Sequence, residues 1–379
     1  MARIGIDARF VGPEGKGLGR YGEKLIEMLQ ELDSTNEYVI FLRDPIFSQW
    51  KPARSNFQKV EAPFRWYTAA EQIHLPRLIA RHKIDLMHFP HLNVPLLYRR
   101  PFVVTIHDLT LTHYPTQRAT TLPPLLYKIK QFAYHRVMAH AVHRAAKIIT
   151  VSGYAKNDIL EFFHVPKEKI TVTYEGAASL GSPHTRPEDV LASHGIRPPY
   201  LLYVGNAYPH KNLERLLEAF AILRKQHSDY QLVLVGKMEY FYERIVRLSQ
   251  KMELEDAIRF PGYVPDHDLV AFYQKAAAYV FPSLSEGFGL PPLEAMLYGT
   301  PVVSSNATCL PEILQNAAIY VDPNDPEDMA DGIHRLLSDD HLRQQFIEHG
   351  RVRVKNFSWK KMAEETIVVY QSLLKSPSS

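Results

Sequence analysis

Short, mostly apolar runs alternate with longer amphipathic segments along most of the chain. Residues 3–6, 102–106 and 200–204 are such runs, and they predict buried strands. In residues 19–32 and 359–374 the apolar positions recur every three or four residues, which predicts helices. Strands that alternate with helices in this way indicate parallel sheets covered by helices, which is the α/β class.

The same pattern also divides the chain into two domains. It predicts further strands at residues 38–42, 85–89, 147–151, 231–235, 258–260, 278–281 and 301–304, and helices at 213–225, 239–251 and 292–298. Between residues 175 and 199 the alternation stops, because Gly, Ser and Pro accumulate there and predict a linker. We therefore predict an N-terminal domain of residues 1–180 and a C-terminal domain of residues 181–358. Two domains also suit a length of 379 residues, at roughly 150 residues per domain.

Composition excludes several classes of protein. Hydrophobic residues make up 46% and charged residues 22%, which is typical of a globular chain and not of a disordered, collagen-like or coiled-coil one. The single cysteine, Cys309, cannot form an internal disulfide, which indicates a reducing compartment. No apolar run approaches the roughly 18–20 residues that span a bilayer. We expect a cytoplasmic protein, with peripheral docking on the inner face of the cytoplasmic membrane left open.

The net charge of +3 hides an asymmetry between the two halves. Residues 1–180 carry 24 Lys and Arg against 16 Asp and Glu, whereas the remainder carries 20 against 25. No acidic residue occurs in the 49 positions between Asp108 and Asp158. Residues 124–146 of this stretch have helical apolar spacing and predict a basic amphipathic helix. The acid-free stretch supplies the candidate acceptor or membrane contacts, which are Arg118, Lys128, Lys130, Arg136 and Arg144.

Such a helix can lie on an anionic membrane surface. The alternative is a helix packed on the core with a solvated basic face. We expect no nucleic-acid partner, because motifs that stack bases are lacking.

A glycine-rich segment at residues 15–22 follows the first predicted strand. Glycines at the start of a helix let backbone amides approach an anion, which the helix dipole also favours. The segment contains a Gly-x-Gly-x-x-Gly pattern from Gly17 to Gly22, with Asp44 downstream, as in dinucleotide-binding proteins. However, a loop from Asp7 to Glu14 separates this pattern from the strand. A flexible turn is the third alternative.

The segment Gly205 to Asn212 follows the first strand of the second domain. Asn212 is placed to cap the helix that begins at the next residue. Lys211 lies beside the positive end of that helix, which is unfavourable unless it faces an anion such as a diphosphate. An exposed lysine without a ligand is the alternative.

The most specific segment places Glu286 in a glycine loop and Glu294 in the first turn of a helix begun by prolines. Two carboxylates at one site suit a ligand with several hydroxyls, because each accepts charge-assisted hydrogen bonds. The alternative, in which Glu294 only complements the helix dipole, leaves Gly287, Phe288 and Gly289 unexplained.

Other polar patterns carry weaker signals. His107 and Asp108 lie at the carboxyl end of a strand, where ligands gather in open α/β sheets. We interpret Asp266-His267-Asp268 as a helix start, and we do not expect a zinc site at His88 and His91. The chain has neither a Walker A sequence nor a Gly-x-Ser-x-Gly elbow.

Taken together, these segments resemble the retaining glycosyltransferases of family 4, the glycosyl transferases group 1, which have the GT-B fold. The motifs that carry the resemblance are Gly17-Leu18-Gly19, His107-Asp108, Gly205 to Asn212, Pro261-Gly262-Tyr263-Val264, Glu286 to Glu294 and Gly299-Thr300-Pro301-Val302-Val303. They run in family order over nearly the whole chain. The resemblance implies two Rossmann-like domains that face a central cleft, with the last helix, residues 359–374, crossing back to the first domain.

The resemblance also implies residue roles. Lys211 and the amides of Gly17 and Gly19 would bind the donor diphosphate, with Asn206 beside them, and Glu294 would hold the ribose. Glu286, Gly287, Phe288 and Gly289 would hold the donor sugar, Tyr263 and Val264 would flank the base, and His107 would contact the sugar near the reacting carbon. An arginine that the family usually places after the strand is absent, and Arg20 is a candidate replacement.

The expected reaction is transfer of a sugar from a nucleoside-diphosphate sugar, with retention of configuration and without a bound metal or other cofactor. Segment 205–212 is similar to that of mannosyltransferase-like members, so we predict GDP-mannose as donor and a lipid-linked oligosaccharide or polysaccharide as acceptor. A UDP-sugar-dependent transferase is the first alternative. A Rossmann NAD(P) oxidoreductase and a non-catalytic GT-B binding protein are alternatives of other classes.

Overall fold

The computed structural model describes residues 1–114, 123–183 and 185–374. The chain forms two compact units. Unit 1 comprises Met1–Leu109, Thr120–Gly176 and Ser358–Ser379, and unit 2 comprises Thr110–Ala119 and Ala177–Phe357. The short segment that starts at Thr110 was expected in the N-terminal domain. It groups with unit 2 because the Thr110 and Ser285 hydroxyls hydrogen bond at 2.8 Å.

The described elements are numbered in chain order. The strands are β1 Arg3–Asp7, β2 Glu37–Leu42, β3 Phe57–Glu61, β4 Leu86–Phe89, β5 Phe102–Ile106, β6 Lys147–Thr150, β7 Ile170–Val172, β8 Tyr200–Val204, β9 Gln231–Val235, β10 Ile258–Gly262, β11 Ala278–Phe281, β12 Val302–Ser305 and β13 Ala318–Val321. The helices are α1 Lys16–Leu32, α2 Ile46–Gln49, α3 Ala69–Arg81, α4 Thr110–His113, α5 Pro124–Arg144, α6 Gly153–Phe163, α7 Pro187–Ser193, α8 Leu213–Leu223, α9 Tyr240–Lys251, α10 Asp266–Lys275, α11 Leu290–Leu297, α12 Leu310–Leu314, α13 Pro326–Ser338, α14 Asp340–Arg353 and α15 Trp359–Leu374.

Unit 1 is built on a parallel seven-stranded sheet in the order β3-β2-β1-β4-β5-β6-β7. Every residue of β4 and β5 is buried, as expected for strands covered on both faces. The last helix, α15, packs on α1 and so belongs to unit 1. Its Tyr370 hydroxyl hydrogen bonds to Nδ1 of His88 on β4 at 2.6 Å.

Unit 2 is built on a parallel six-stranded sheet in the order β10-β9-β8-β11-β12-β13. The strand order reverses between β8 and β11, as it does between β1 and β4 in unit 1. Loops that leave the carboxyl ends of strands at such a switch point form the usual ligand site of open α/β sheets. The residues after β8 and β11 include the Lys211 and Glu286 segments.

The hydrophobic pattern finds most of the buried strands but misses β3, β7 and also β13, which is apolar and mostly buried. β5, β8, β9 and β11 have the predicted bounds, and α15 begins and ends at the predicted residues. β3 was missed because three of its five residues are polar, and β7 because it has only three residues. In the part of the chain that the structure describes, no helix has the length and hydrophobicity needed to cross a bilayer.

Candidate functional site

The loop after β8 is held by its own hydrogen bonds. The Asn206 side chain accepts a hydrogen bond from the backbone N–H of Tyr208 at 3.2 Å, and the Tyr203 hydroxyl donates to the Asn206 carbonyl at 2.7 Å. Asn212 precedes α8 in the left-handed region with φ 62°, but it does not cap the helix as expected. Its side-chain amide instead donates to the carbonyls of Pro282 and Pro323, which joins three loops at this edge of unit 2.

The predicted phosphate-binding lysine forms an ion pair with the predicted sugar-binding glutamate. Lys211 Nζ lies 2.6 Å from Glu286 Oε1, and only 15% and 12% of the two side chains are exposed. The Lys211 ammonium also lies 5.9 Å from the centre of the Phe281 ring. Two residues 75 positions apart in the chain therefore meet where the loops after β8 and β11 converge.

The glycine loop that contains Glu286 is fixed by two residues that sequence reasoning did not assign to the site. The Thr308 hydroxyl accepts a hydrogen bond from the Glu286 backbone N–H at 3.1 Å. The Cys309 thiol donates to the carbonyls of Glu286 and Phe288, each at 3.3 Å. Burial raises the pKa of this thiol, so it remains protonated and able to donate. Phe288 is itself buried against the edge of Phe357, with ring centres 5.5 Å apart.

Helix α11 begins after Gly289, whose φ of 99° favours glycine. Because the helix starts at Leu290 and not at Pro292, Glu294 lies beyond its first turn, and the expectation of a first-turn position is wrong. Glu294 is buried and accepts a hydrogen bond from the Tyr273 hydroxyl at 3.1 Å. Burial raises the pKa of the neighbouring Tyr279 phenol, and the charges of Glu294 and Glu286 raise it further. Glu286 and Glu294 are therefore both close enough to the buried Tyr279 to affect its pKa.

The predicted base-binding pair divides between surface and core. Tyr263 is 67% exposed, whereas Val264 is buried in unit 2. Only the tyrosine ring can therefore offer surface to a ligand. Gly287, also predicted to hold the sugar, is buried within the loop.

In unit 1 the glycine-rich segment lies at the start of α1. No side chain caps this helix, and its first turn contains no acidic residue. A Cβ on Gly17 would meet nothing within 4 Å, so the surface there is open. A Cβ on Gly19 would lie 2.5 Å from the Gly12 carbonyl oxygen, so this glycine allows close backbone packing. Arg20 lies on the same helix.

His107 follows β5 and contacts two acceptors. Its Nδ1 lies 3.0 Å from Glu175 Oε1 and its Nε2 lies 3.1 Å from the Pro90 carbonyl oxygen. Burial lowers the pKa of His107, but the hydrogen bond and charge of Glu175 and the Pro90 carbonyl outweigh it, so the pKa lies above its ordinary value. Both ring nitrogens face acceptors, an arrangement that favours the imidazolium, with both N–H groups donating within unit 1. Sequence reasoning missed Glu175, which lies 68 positions away at the start of the predicted linker.

The remaining polar candidates have structural surroundings. His88 is buried between the hydroxyls of Thr105 and Tyr370, and burial lowers its pKa to about 3. Asp266 and Asp268 lie in the first turn of α10. Within residues 1–114, 123–183 and 185–374, no group of three or more His, Cys, Asp or Glu side chains could hold a metal.

Helix α5 does not have the single apolar face that was predicted, because its second half packs on the core and its first half does not. Its apolar residues Leu125, Ile129 and Phe132 are 71%, 57% and 67% exposed. The buried residues lie further along on the opposite side and include Met138 and Val142. Of the predicted basic contacts, Lys128, Lys130, Arg136 and Arg144 are exposed on this helix, and Arg118 lies outside the described residues.

Two family models match the chain. Residues 189–353 match Glycosyl transferases group 1, and residues 16–179 match Glycosyltransferase Family 4. The chain is 30% identical over 376 residues to the O-antigen chain mannosyltransferase B of Escherichia coli, covering 94% of this chain and 96% of that protein. It is 28% identical to the O-antigen chain mannosyltransferase RfbU of Salmonella typhimurium, covering 86% and 88%.

The fold is also found in solved structures. Sucrose-phosphate synthase from Thermosynechococcus elongatus is similar with a TM-score of 0.79 and 22% identity, covering 99% of both chains. The comparisons agree with the two parallel sheets. They do not support the oxidoreductase alternative. The chain belongs to the group 1 glycosyl transferases and has the GT-B fold.

Proposed function

We propose that the protein is a retaining transferase that moves mannose from GDP-mannose to a lipid-linked oligosaccharide or a polysaccharide in cell-surface glycan biosynthesis. The observation that most supports a donor site in unit 2 is the Lys211–Glu286 ion pair. It brings a cation suited to a diphosphate next to a carboxylate suited to sugar hydroxyls. The choice of mannose is supported by the names of the two O-antigen mannosyltransferase relatives.

In this proposal the donor replaces the internal ion pair. Lys211 turns to the diphosphate, and the released carboxylate of Glu286 accepts hydrogen bonds from sugar hydroxyls. The backbone amides of Phe288 and Gly289 assist at the sugar. Glu294 holds the ribose. The Tyr273 hydroxyl donates a hydrogen bond to the Glu294 carboxylate and fixes its orientation.

The rest of the donor is bound by more exposed groups. Tyr263 stacks on the base, since 67% of it is exposed, and Val264 supports that loop from the core. Asn206 keeps the turn before Lys211 in shape. Gly17 offers a first-turn amide of α1 to phosphate, because such an amide has no partner within the helix. Gly19 was predicted to do the same, but it is the fourth helical residue and is buried against the Gly12 carbonyl, so its role is close packing.

The chemical step is departure of the nucleoside diphosphate from the anomeric carbon. As the C1–O bond breaks, negative charge grows on the leaving phosphate, and preorganised positive groups lower the barrier. We assign the stabilisation of this charge to Lys211 and to helix dipoles, without a metal. The acceptor attacks the anomeric carbon from the same face that the leaving group departs from. The imidazolium of His107 adds a second positive charge. Because both of its N–H groups are engaged, its action on the donor is electrostatic.

Helix α5 supports docking on an anionic membrane surface that carries the acceptor. Leu125, Ile129 and Phe132 follow one side of the helix at spacings of three and four residues and are exposed. Lys128 and Lys130 lie on either side of this apolar stripe, where their charges can reach lipid headgroups.

A thermal-shift series tests the donor assignment. GDP-mannose should raise the melting temperature of the wild-type protein more than UDP-glucose or ADP-glucose, because a ligand that binds the folded state stabilises it. In the Lys211→Ala variant the shift should largely disappear. A larger shift with UDP-glucose would favour the alternative UDP-sugar donor, and no shift with any nucleotide sugar would contradict a donor site.

A further inference from the structure

An aromatic patch lies at the carboxyl edge of the unit 1 sheet. It consists of Phe10 after β1, Trp66 and Tyr67 before α3, and His91 after β4. Phe10 stacks on Trp66 with ring centres 4.7 Å apart, and it lies 4.9 Å from the His91 ring. The Arg43 guanidinium lies over the Trp66 ring at 4.8 Å. Trp66 is thus partly buried by its neighbours and forms the base of the aromatic patch.

Tyr67 is the exposed member of the aromatic patch. Its ring stands nearly perpendicular to those of Phe10 and His91, and 56% of the residue is exposed. Its backbone has φ 61°, in the left-handed region that a tyrosine rarely adopts. Backbone strain of this kind persists only where the surroundings enforce it, and such residues cluster at functional sites.

A buried ion cluster enforces this conformation. The Arg9 side chain is buried and binds both oxygens of Asp7 at 2.7 Å, the carboxylate of Glu71, and the carbonyl of Phe64 at 3.0 Å. Burying three charges costs free energy unless their hydrogen bonds are satisfied, and here they are.

Glu71 connects the ion cluster to the aromatic patch. Its Oε2 accepts the backbone N–H of Tyr67 at 2.8 Å, and its Oε1 accepts the side-chain amide of Asn93 at 2.7 Å. The Asn93 backbone N–H in turn hydrogen bonds to His91 Nδ1 at 3.3 Å. The cluster thereby fixes Tyr67 and His91 on adjacent loops.

The aromatic patch also borders His107. The Pro90 carbonyl that accepts from His107 Nε2 belongs to the residue just before His91. Burial lowers the pKa of His91 to about 3, and the nearby charge of His107 contributes to this. His91 is therefore neutral, so one ring nitrogen accepts and the other donates. Its ring is close to the Tyr67 hydroxyl, with Nε2 at 3.4 Å.

We propose that Tyr67 and His91 form a subsite for a pyranose ring of the acceptor glycan. An exposed tyrosine ring offers an apolar face to the C–H face of a sugar, while the hydroxyl and the imidazole serve its hydroxyl groups. The proposal rests on the proposed function, because that function makes a glycan the acceptor. The nucleobase, which would also stack, has its place at Tyr263 of unit 2.

Saturation-transfer NMR with methyl α-D-mannopyranoside and α-1,3-mannobiose as probes tests the subsite without the donor. Wild-type protein should saturate the sugar ring protons, and the Tyr67→Ala variant should lose most of this signal. Tyr67→Phe should keep it, because the stacking face remains. Tyr240→Ala is the matched control, since Tyr240 is an exposed tyrosine of unit 2. In transfer assays Tyr67→Ala should raise the KM for acceptor about tenfold and leave the KM for GDP-mannose unchanged.

A second variant separates binding from folding. Tyr67→Gly removes the ring and also the strain, so its melting temperature should equal or exceed that of the wild type while probe binding is lost. A fall in melting temperature would show that the ring is structural and would overturn the proposal. So would a wild type that binds neither probe, or a Tyr67→Ala variant that binds both normally. Absence of transfer from every nucleotide sugar would instead refute the proposed function, with the probe measurements still deciding the subsite.

Discussion

In the proposed donor site, the ion pair must open before either residue can bind the donor: Lys211 has to turn to the diphosphate and Glu286 to the sugar hydroxyls. Their contact neutralises two mostly buried charges that would otherwise be costly. The donor must therefore offer both a diphosphate and hydroxyl groups to replace the pair at no net loss of interactions. A nucleoside diphosphate alone replaces only one side. If the donor binds as we propose, this coupling makes the site favour the intact donor over its product.

Glu286→Gln separates the two effects of the ion pair. The variant should lose roughly 10- to 100-fold in kcat/KM, because a hydrogen bond to a charged group is removed from the sugar. Its affinity for GDP should stay equal or increase, since Lys211 no longer has to leave a carboxylate. Titration calorimetry with GDP measures this, and Glu243→Gln, an exposed acid of unit 2, is the control. Weaker GDP binding in Glu286→Gln would contradict the account.

Glu175→Gln tests the imidazolium of His107. The pKa of His107 is raised in the folded protein, so the stabilising contribution of its charge is complete below the ordinary value of 6.5 and is lost as pH rises through the raised value. In the variant this loss should begin at lower pH, both in the 15N chemical shifts of His107 and in the alkaline limb of the transfer rate.

Glu168→Gln, an exposed acid of unit 1, should leave both pH profiles unchanged. A His107 pKa that is no higher in the wild type than in Glu175→Gln, measured by NMR, would refute the assignment.

For single residues, the sequence predicts which side chains belong to the site but not which side chains they contact. Lys211 and Glu286 stand out through their local surroundings, a lysine before a helix and a glutamate in a glycine loop. Their contact, and that of His107 with Glu175, joins positions far apart in the chain and depends on strand order. Cys309 and Thr308 gave no local signal, because they act through backbone groups of another loop.

Among the elements, α1 combines two glycines with different physical tasks. Gly19 lets the helix approach the loop after β1, whereas Gly17 faces open space. The sequence showed both as one glycine-rich pattern, since spacing alone carries no information about the neighbouring loop. Apolar strands such as β5 and β8 were predictable because burial on both faces leaves a continuous apolar run. The first residue of α11 was not predictable, because Gly289 and the prolines that follow it allow the helix to begin at several positions.

Substituting each glycine of α1 by alanine separates folding from binding. Gly19→Ala should lower the melting temperature by several degrees, since its Cβ would collide with the Gly12 and Phe10 carbonyl oxygens. Gly17→Ala should leave the melting temperature unchanged or slightly higher, because alanine favours a helix by up to about 1 kcal/mol. If the α1 amides bind phosphate, Gly17→Ala should nevertheless raise the KM for GDP-mannose. An unchanged KM would remove α1 from the donor site.

Helix α5 should bind anionic vesicles through its exposed stripe. Replacing Lys128 and Lys130 by Gln should weaken sedimentation with phosphatidylglycerol vesicles about thirtyfold, at about 1 kcal/mol per lysine near an anionic surface. Phe132→Ser should weaken binding to the same vesicles by removing an exposed apolar side chain. The matched control replaces Lys360 and Lys361 of α15, which are exposed on the same unit. Equal effects of both lysine pairs would indicate nonspecific attraction and contradict docking through α5.

For the whole molecule, the charge asymmetry follows the division of roles that we propose. The carboxylates that we propose bind sugar and ribose, Glu286 and Glu294, lie in unit 2, within the half that carries the excess of acidic residues. The acid-free stretch that contains α5 lies in the basic half. Composition revealed this difference in charge between the two halves but not the reason for it. Family membership then gives the reaction class, while the particular sugar depends on contacts that no sequence pattern specifies.

The most direct test of the central claim is transfer itself, measured with GDP-mannose and a lipid-linked oligosaccharide acceptor. Wild-type protein should release one GDP for each mannose transferred, and NMR of the product should show the same anomeric configuration as in the donor. Lys211→Ala should abolish both GDP release and transfer. An inverted product, or transfer by Lys211→Ala at the wild-type rate, would contradict the account, as would the absence of GDP release with every acceptor tried.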